Sequence, residues 1–217
     1  MRIIAGILFL AVLTWVEPAS AQKVYSLSVS RHRAVPALTA GEVNVILAAA
    51  SNMLQKNSTH NSDDDIACNV AFTLQGPIRT FGSPDTPDVV DADHIDAVHR
   101  VDSNVTGVDF HVKVVKEIEF CRPGLIGPFE GCSYSPPDFR SMIVVHPRLH
   151  IRRNYPDYLL WPHEFGHLTG LGHRQDPNAL MTPCALTKND VQVNHSECQC
   201  LQSGPASCPL PGPVTCQ

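Results

Sequence analysis

The chain has 217 residues, 43% of them hydrophobic and 17% charged, which is apolar material for one domain with a real core and excludes a disordered chain. Its 16 Lys and Arg stand against 21 Asp and Glu, for a net charge of −5. The basic residues are scattered and form no stripe with aromatics, so nucleic acid is not an expected partner.

The first residues, MRIIAGILFLAVLTWVEPASAQ, carry one positive charge at Arg2, then the apolar run Ile3 to Leu13 and the small-x-small triplet Ala19-Ser20-Ala21. That is the pattern of a secretory signal peptide, residues 1–21, cleaved after Ala21. No second apolar run of spanning length follows, so a secreted chain, extracellular or periplasmic, with no membrane span is expected. All eight cysteines lie beyond the signal peptide, and in an exported chain their even number favours disulfides. Cys121 and Cys132 flank the Gly/Pro-rich RPGLIGPFEG and form a plausible local pair; the remaining connectivity stays open.

Thr39-Ala40-Gly41-Glu42 has capping-box spacing and precedes Val43, Ile46, Leu47, Ala50, Met53 and Leu54 at intervals of three and four. These features predict an amphipathic helix over 40–56. KNSTHNSDDD reads as a solvated loop, with calcium at Asp63-Asp64-Asp65 a lesser alternative because hard cations want more oxygens than one short run supplies. Cys68, Val70, Phe72 and Leu74 alternate with polar or small residues, a strand with one buried face that ends at Gly76-Pro77. Residues 80–105, rich in Pro, Asp and Gly, predict mostly loop with a short strand. Val108 to Val115 reads as a second strand and Ser141 to Val145 as a third, apolar enough to be central in a sheet. Tyr155 to Leu171 is helical in pattern.

After Met181 the composition changes: Cys184, Cys198, Cys200, Cys208 and Cys216 sit among Pro, Gly and Ser. This tail lacks the means to build its own core, and disulfides are expected to staple it to the domain. The expected organisation is a catalytic domain over 22–183 and a cysteine-rich extension over 184–217. An early helix, several strands and a later helix predict an α+β domain with a mixed sheet.

Residues 163–173 read HEFGHLTGLGH. On a helix, His163 and His167 are one turn apart on one face and offer two imidazoles to a single ion, with Glu164 beside them. Gly170 can end the helix in a left-handed turn, which lets His173 swing back as third ligand. Three ligands and one open position describe a catalytic zinc site, in which zinc-bound water attacks and Glu164 is the general base. From composition alone a bare H-E-x-x-H arises by chance at roughly one in fifty, and H-E-x-x-H-x-x-G-x-x-H at roughly one in twenty thousand. Lone histidines such as His32, His60, His94 and His146 read as surface or satisfied interior residues. Pro162 costs about 3 kcal/mol inside a helix, so the helix either starts near Trp161 or kinks there.

The stretch HEFGHLTGLGH, followed by DPNALMTP, resembles the metzincin clan of zinc peptidases and, within it, the matrixins. The resemblance implies a zincin-type fold with His163, His167 and His173 as ligands of one zinc ion, Glu164 as the catalytic base and Met181 as the Met-turn beneath the metal. It implies that Pro183 borders the pocket for the side chain after the cut bond, and that a peptide substrate lies along an exposed sheet edge, for which Gly127 to Ser135 is the candidate. Arg174 stands where matrixins carry Ser, and no Tyr follows two residues after Met181, so a tyrosine ligand is not expected. The short stretch before the first helix carries no cysteine switch, so latency through an N-terminal prodomain is not expected. Structural zinc or calcium, known in matrixins, has as candidates His94, His99 and His111 with Asp91, Asp93 and Asp109. The expected protein is a monomeric secreted zinc endopeptidase acting on proteins or peptides. The alternatives are a secreted zinc-binding or interaction module without catalysis, and a tail that is itself the binding element.

Overall fold

The computed structural model describes residues 21–56, 65–122, 125–133, 140–150, 156–183, 191–205 and 207–208. The expected signal peptide up to Ser20 and the acidic residues Asp63 and Asp64 lie outside them.

The chain opens with strand β1 (Lys23–His32), then α1 (Ala40–Leu54), β2 (Val70–Leu74), β3 (Arg79–Phe81), β4 (Val89–Val90) and α2 (Ile95–Arg100). It continues with β5 (Phe110–Val115), β6 (Glu117–Arg122), β7 (Leu125–Phe129), β8 (Gly131–Ser133), β9 (Ser141–Val145), α3 (Asp157–Thr169) and α4 (His195–Ser203). The expected α+β domain with a mixed sheet is therefore present. Residues 80–105 hold more than loop: two short strands and α2 cross them. Strand β1 and helix α4 were not expected. No helix among the described residues is long and apolar enough to cross a membrane.

Helix α1 starts where its capping box places it. The Thr39 hydroxyl accepts the Glu42 N–H at 3.2 Å and the Glu42 carboxylate accepts the Thr39 N–H at 2.8 Å, a cap worth about 1 kcal/mol. Val43, Leu47, Ala50 and Leu54 then fall on the buried face. Ser51 ties that face to the sheet, donating to the Leu47 carbonyl at 2.7 Å and accepting from the Phe72 N–H at 3.0 Å.

The main sheet runs β2-β1-β5-β9-β8, with β3 also paired to β1. Every pairing is parallel except the last, β8 against β9, which makes β8 an antiparallel edge strand. A small sheet, β4-β6-β7, lies apart from it. Parallel strands are covered on both faces, and side chains alternate between them. Tyr25, Leu27, Val29, Phe110, Val112, Val114, Met142 and Val144 join α1 and α3 in the larger core, while Val115, Ile143 and Val145 join Val90, Ile95, Val98 and Ile118 in a second.

Between these apolar regions the second face is polar. Ser28, Ser30, His111 and Lys113 alternate with the core residues of β1 and β5 and are all buried. Ser28 Oγ bonds His111 Nδ1 at 2.7 Å, Ser30 donates to the Asp102 carboxylate, and the Lys113 amine donates to the Val101 carbonyl. Burial, with the Lys113 charge adding to it, pushes His99 down to about 3 and His111 to about 4, so both are neutral near pH 7.

Helix α3 is fastened to the sheet by one aromatic side chain. The Phe165 ring lies 4.8 Å from Tyr25, 5.0 Å from Phe110 and 5.1 Å from Phe72, centroid to centroid. Among the described residues, three disulfides complete the frame. Cys121–Cys132 is the expected local pair and joins β6 to β8; Cys68–Cys198 joins the approach to β2 to α4; Cys200–Cys208 closes the tail on itself. The expectation that the tail is stapled to the domain holds through Cys68–Cys198.

Because Cys68–Cys198 spans 130 residues, its loss releases a long loop in the unfolded chain. The Cys68→Ala/Cys198→Ala double variant should lose about 2–5 kcal/mol of stability in urea titration. An unchanged midpoint would mean that packing alone docks α4.

Candidate metal centre

Helix α3 begins at Asp157, about a turn before Trp161, with Pro156 as its N-cap. Asp157 places a carboxylate in the first turn, where the helix dipole favours it. Pro162 therefore sits inside the helix, where it withholds the N–H that the Tyr158 carbonyl would otherwise receive. The helix passes through this position because Leu159, Leu160, Trp161, Phe165 and Leu168 are all buried, and that packing outweighs a local cost of about 3 kcal/mol.

The helix stops at Gly170, which is left-handed at φ 98°. Its N–H and that of Leu171 return to the His167 and Gly166 carbonyls at 3.0 Å, so the chain reverses tightly. The reversal brings His173 back beside the helix. The donor nitrogens of His163, His167 and His173 all lie within 4.8 Å of one another, and His167 Nε2 is 3.1 Å from His173 Nε2. Two nitrogens on a tetrahedral zinc would be about 3.3 Å apart, so the spacing suits that ion.

The back of each helical imidazole is tied down. His163 Nδ1 donates to the Leu180 carbonyl at 2.7 Å and His167 Nδ1 to the Leu171 carbonyl at 2.8 Å. Both bonds put the proton on Nδ1 and leave Nε2 as the lone-pair nitrogen facing the cluster. Burial pushes His163 down to about 4, with His173 adding to the shift and the Leu180 bond opposing it. The ring is thus neutral at pH 7, the state a metal ligand requires.

Met181 is completely buried and lies against Gly166 of α3. The Arg174 N–H donates to its carbonyl at 2.7 Å, tying the segment after His173 to the methionine turn. Pro183 follows, half-buried.

Glu164 is 4% exposed and is pushed up to about 8 by burial, opposed by a hydrogen bond from Ser133. Ser133 Oγ donates to its Oε2 at 2.8 Å. On the other side its Oε1 is pressed against Gly131, where any Cβ would overlap the carboxylate. Both contacts come from the edge strand β8. The candidate substrate segment, Gly127 to Ser135, is in fact divided: up to Phe129 it belongs to β7 in the small sheet, and only Gly131–Ser133 forms the edge beside Glu164, with residues 134–135 outside the described ones.

Spacing gave no signal for Ser133, nor for a second group nearby. His150 is buried between two carboxylates, with Nδ1 at 2.5 Å from Glu130 Oε2 and Nε2 at 3.0 Å from Asp157 Oδ1. Carboxylates only accept, so both ring nitrogens must donate and the ring is an imidazolium. Burial alone would lower its pKa, but the two carboxylates outweigh burial and raise it to about 9. The clamp joins the residue before β8 to the first residue of α3.

The other metal candidates do not gather. His94 Nδ1 bonds Asp91 at 2.6 Å, Asp109 accepts from the Ser26 N–H at 2.7 Å and hydroxyl at 2.9 Å, His111 is engaged by Ser28, and His99 is buried in α2. Asp65 accepts from the Val193 N–H at 3.2 Å. Among the described residues, His163, His167 and His173 form the one cluster of three converging ligand atoms. Calcium gains no support from this arrangement.

A helix that presents two histidines, a glycine turn that returns a third, and a buried methionine packed on Gly166 of that helix resemble the arrangement of a metzincin metal centre. The matrixin family model matches residues 86–203, more than half of the chain, and the chain belongs to the matrixin family. It is 40% identical over 67 residues to interstitial collagenase of Equus caballus, a match covering 29% of this chain and 14% of the collagenase. The chain thus spans a small part of that relative's length. The fold is similar to that of mature mirolysin of Tannerella forsythia, at TM-score 0.52 and 10% identity over 85% of this chain and 92% of the other. Archaemetzincin of Methanopyrus kandleri superposes at TM-score 0.49 and 16% identity, over 86% and 97% of the two chains.

The His150 clamp makes a prediction about pH. Its folded pKa of about 9 lies above the ordinary 6.5, so its stabilisation is fully present below pH 6.5 and disappears as pH rises through about 9. The stability difference between parent and His150→Gln, from urea titrations, should be constant up to about pH 6.5 and shrink to a small residue by about pH 10. A difference independent of pH would mean that the ring is neutral.

Proposed function

We propose that the chain is an exported zinc endopeptidase of the matrixin type. The observation that carries the reading is the convergence of three imidazole nitrogens, two with their tautomer fixed by backbone carbonyls, next to a buried carboxylate that is not part of the cluster. A structural zinc closes its fourth position with a protein ligand and needs no base beside it. Here His163, His167 and His173 are the metal ligands, Glu164 is the general base and Met181 is the floor. Export is supported by the sequence of residues 1–21 and by the disulfides. The protein acts as a monomer on a protein or peptide.

His163, His167 and His173 would hold the zinc, which when bound would lower the pKa of a water from 15.7 towards about 7 and polarise the scissile carbonyl. Glu164 accepts the water proton and hands it to the leaving amine. Ser133 holds one of its oxygens, which orients the other for this transfer. The substrate adds to the edge of β8, the last strand of the sheet among the described residues, as a further strand, so that main-chain bonds fix the peptide while Glu164 stays within reach of its carbonyl. Pro183 borders the pocket for the side chain after the cut bond.

Metal analysis and peptide-library cleavage, run on parent and Glu164→Gln, test this. The parent should carry one zinc and lose cleavage to a chelator; Glu164→Gln should keep the zinc and lose roughly 10²–10⁴-fold in rate. Full activity in Glu164→Gln would sink the mechanism, and a parent that holds zinc yet cuts nothing would favour a silent binding module. Gly131→Ala supplies a finer check: its Cβ must displace the Glu164 carboxylate, and kcat should fall about 10²-fold with zinc content unchanged.

A further inference from the structure

The segment after residue 190 reaches the support of all three histidines. The Leu180 carbonyl that holds His163 belongs to a residue whose N–H donates to the Gln192 carbonyl at 2.9 Å, and the Gln192 N–H returns to Asn178 at 2.7 Å. The turn that holds His167 is backed by Cys208, whose N–H donates to the Thr169 carbonyl at 2.9 Å and whose own carbonyl packs on Gly170. The residue after His173 is Arg174. Its guanidinium reaches the same Gln192 carbonyl at 3.4 Å and lies 3.2 Å from Glu197 Oε1 on α4.

Glu197 is well placed to anchor it. At 5% exposure it is buried, and its Oε2 accepts the Asn194 N–H at 2.9 Å while Asn194 Oδ1 accepts the Glu197 N–H at 2.8 Å. This capping box immobilises the carboxylate and leaves Oε1 for Arg174. Asp176, at 3.9 Å from the guanidinium, is the weaker partner.

We propose that Arg174 and Glu197 are a positioning pair that fixes His173 and the Met181 turn, so that α4 of the C-terminal extension is a working part of the metal centre. The proposal rests on the reading of the three histidines as zinc ligands. Arg174 holds the Met181 carbonyl with its backbone and α4 with its side chain, so the residue next to His173 is fixed at both ends. The boundary that composition draws at residue 183 separates segments that these bonds join. Groups behind metal ligands set ligand orientation, and their loss typically costs 10–100-fold in metal affinity.

The test uses the full secreted chain and zinc itself as the probe. Zinc affinity is measured by chelator competition for the parent, Arg174→Gln, Glu197→Gln and the double variant, with metal-free melting temperature and kcat and KM on one peptide recorded beside it. Glu197→Gln keeps the capping box, since Gln serves at that position, and so removes only the charge. Each single variant should bind zinc about 10–100-fold more weakly, and the double variant no more weakly than Arg174→Gln. The loss should appear in kcat rather than KM, with the metal-free Glu197→Gln protein melting near the parent. Should Arg174→Gln fail to fold, Glu197→Gln decides. Zinc affinity within about twofold of the parent in Glu197→Gln, or a loss matched by an equal loss of metal-free stability, overturns the pair. A parent that binds no zinc overturns the ligand assignment first, and this proposal with it.

Discussion

Two backbone carbonyls set the orientation of the helical imidazoles in the candidate metal centre. A free histidine chooses between two tautomers and turns about two side-chain bonds; His163 and His167 do neither, because Leu180 and Leu171 each take the Nδ1 proton. Both carbonyls lie on chain that has already passed Gly170, so the left-handed turn there is a precondition for the ligands upstream of it. The helix itself must sit at one height on the sheet for those carbonyls to meet their donors. Phe165, wedged among Tyr25, Phe72 and Phe110, sets that height from the apolar side.

How far the fold could be read in advance follows from the range of each interaction. Helix α1, strands β2, β5 and β9 and helix α3 show their periods over a few residues, and the three histidines fall within eleven positions, where helical geometry sets the spacing of His163 and His167 and the Gly170 turn returns His173. Strand β1 alternates just as regularly, but Ser26, Ser28 and Ser30 fill its second face, so it lacks the aliphatic bulk that usually signals a central strand. Helix α4 has a complete capping box, obscured by a surrounding composition of Cys, Pro, Gly and Ser. Ser133 meets Glu164, and Glu130 meets Asp157 through His150, only because β8 packs on α3, and no local pattern announces a contact across the fold.

The polar second face explains why the histidines between 94 and 111 look like ligands without gathering as ligands. Burying Lys113 in the middle of a parallel sheet is costly unless its protons find acceptors, and the loop after α2 supplies Val101 and, nearby, Asp102. His111 answers Ser28 in the next strand, in the register Ser28 opposite His111. These residues are recruited to satisfy one another inside the sheet. The neutral state of His99 and His111 follows from the same burial and the same lysine.

Strand β8 pairs with β9 through three residues only, too few for a ladder to hold an edge in place alone. Each of those residues has a second fastening of a different kind. Gly131 lies flush against the Glu164 carboxylate, Cys132 is bonded to Cys121 of β6, and Ser133 donates to Glu164. Just ahead of them, Glu130 is held to the first turn of α3 by His150. The edge is thus registered against α3 itself, through a hydroxyl, a missing side chain and an ion pair. The distance between β8 and Glu164 is therefore fixed by the fold itself, and preorganisation of this kind is what the proposed role of Glu164 toward a peptide laid along β8 requires.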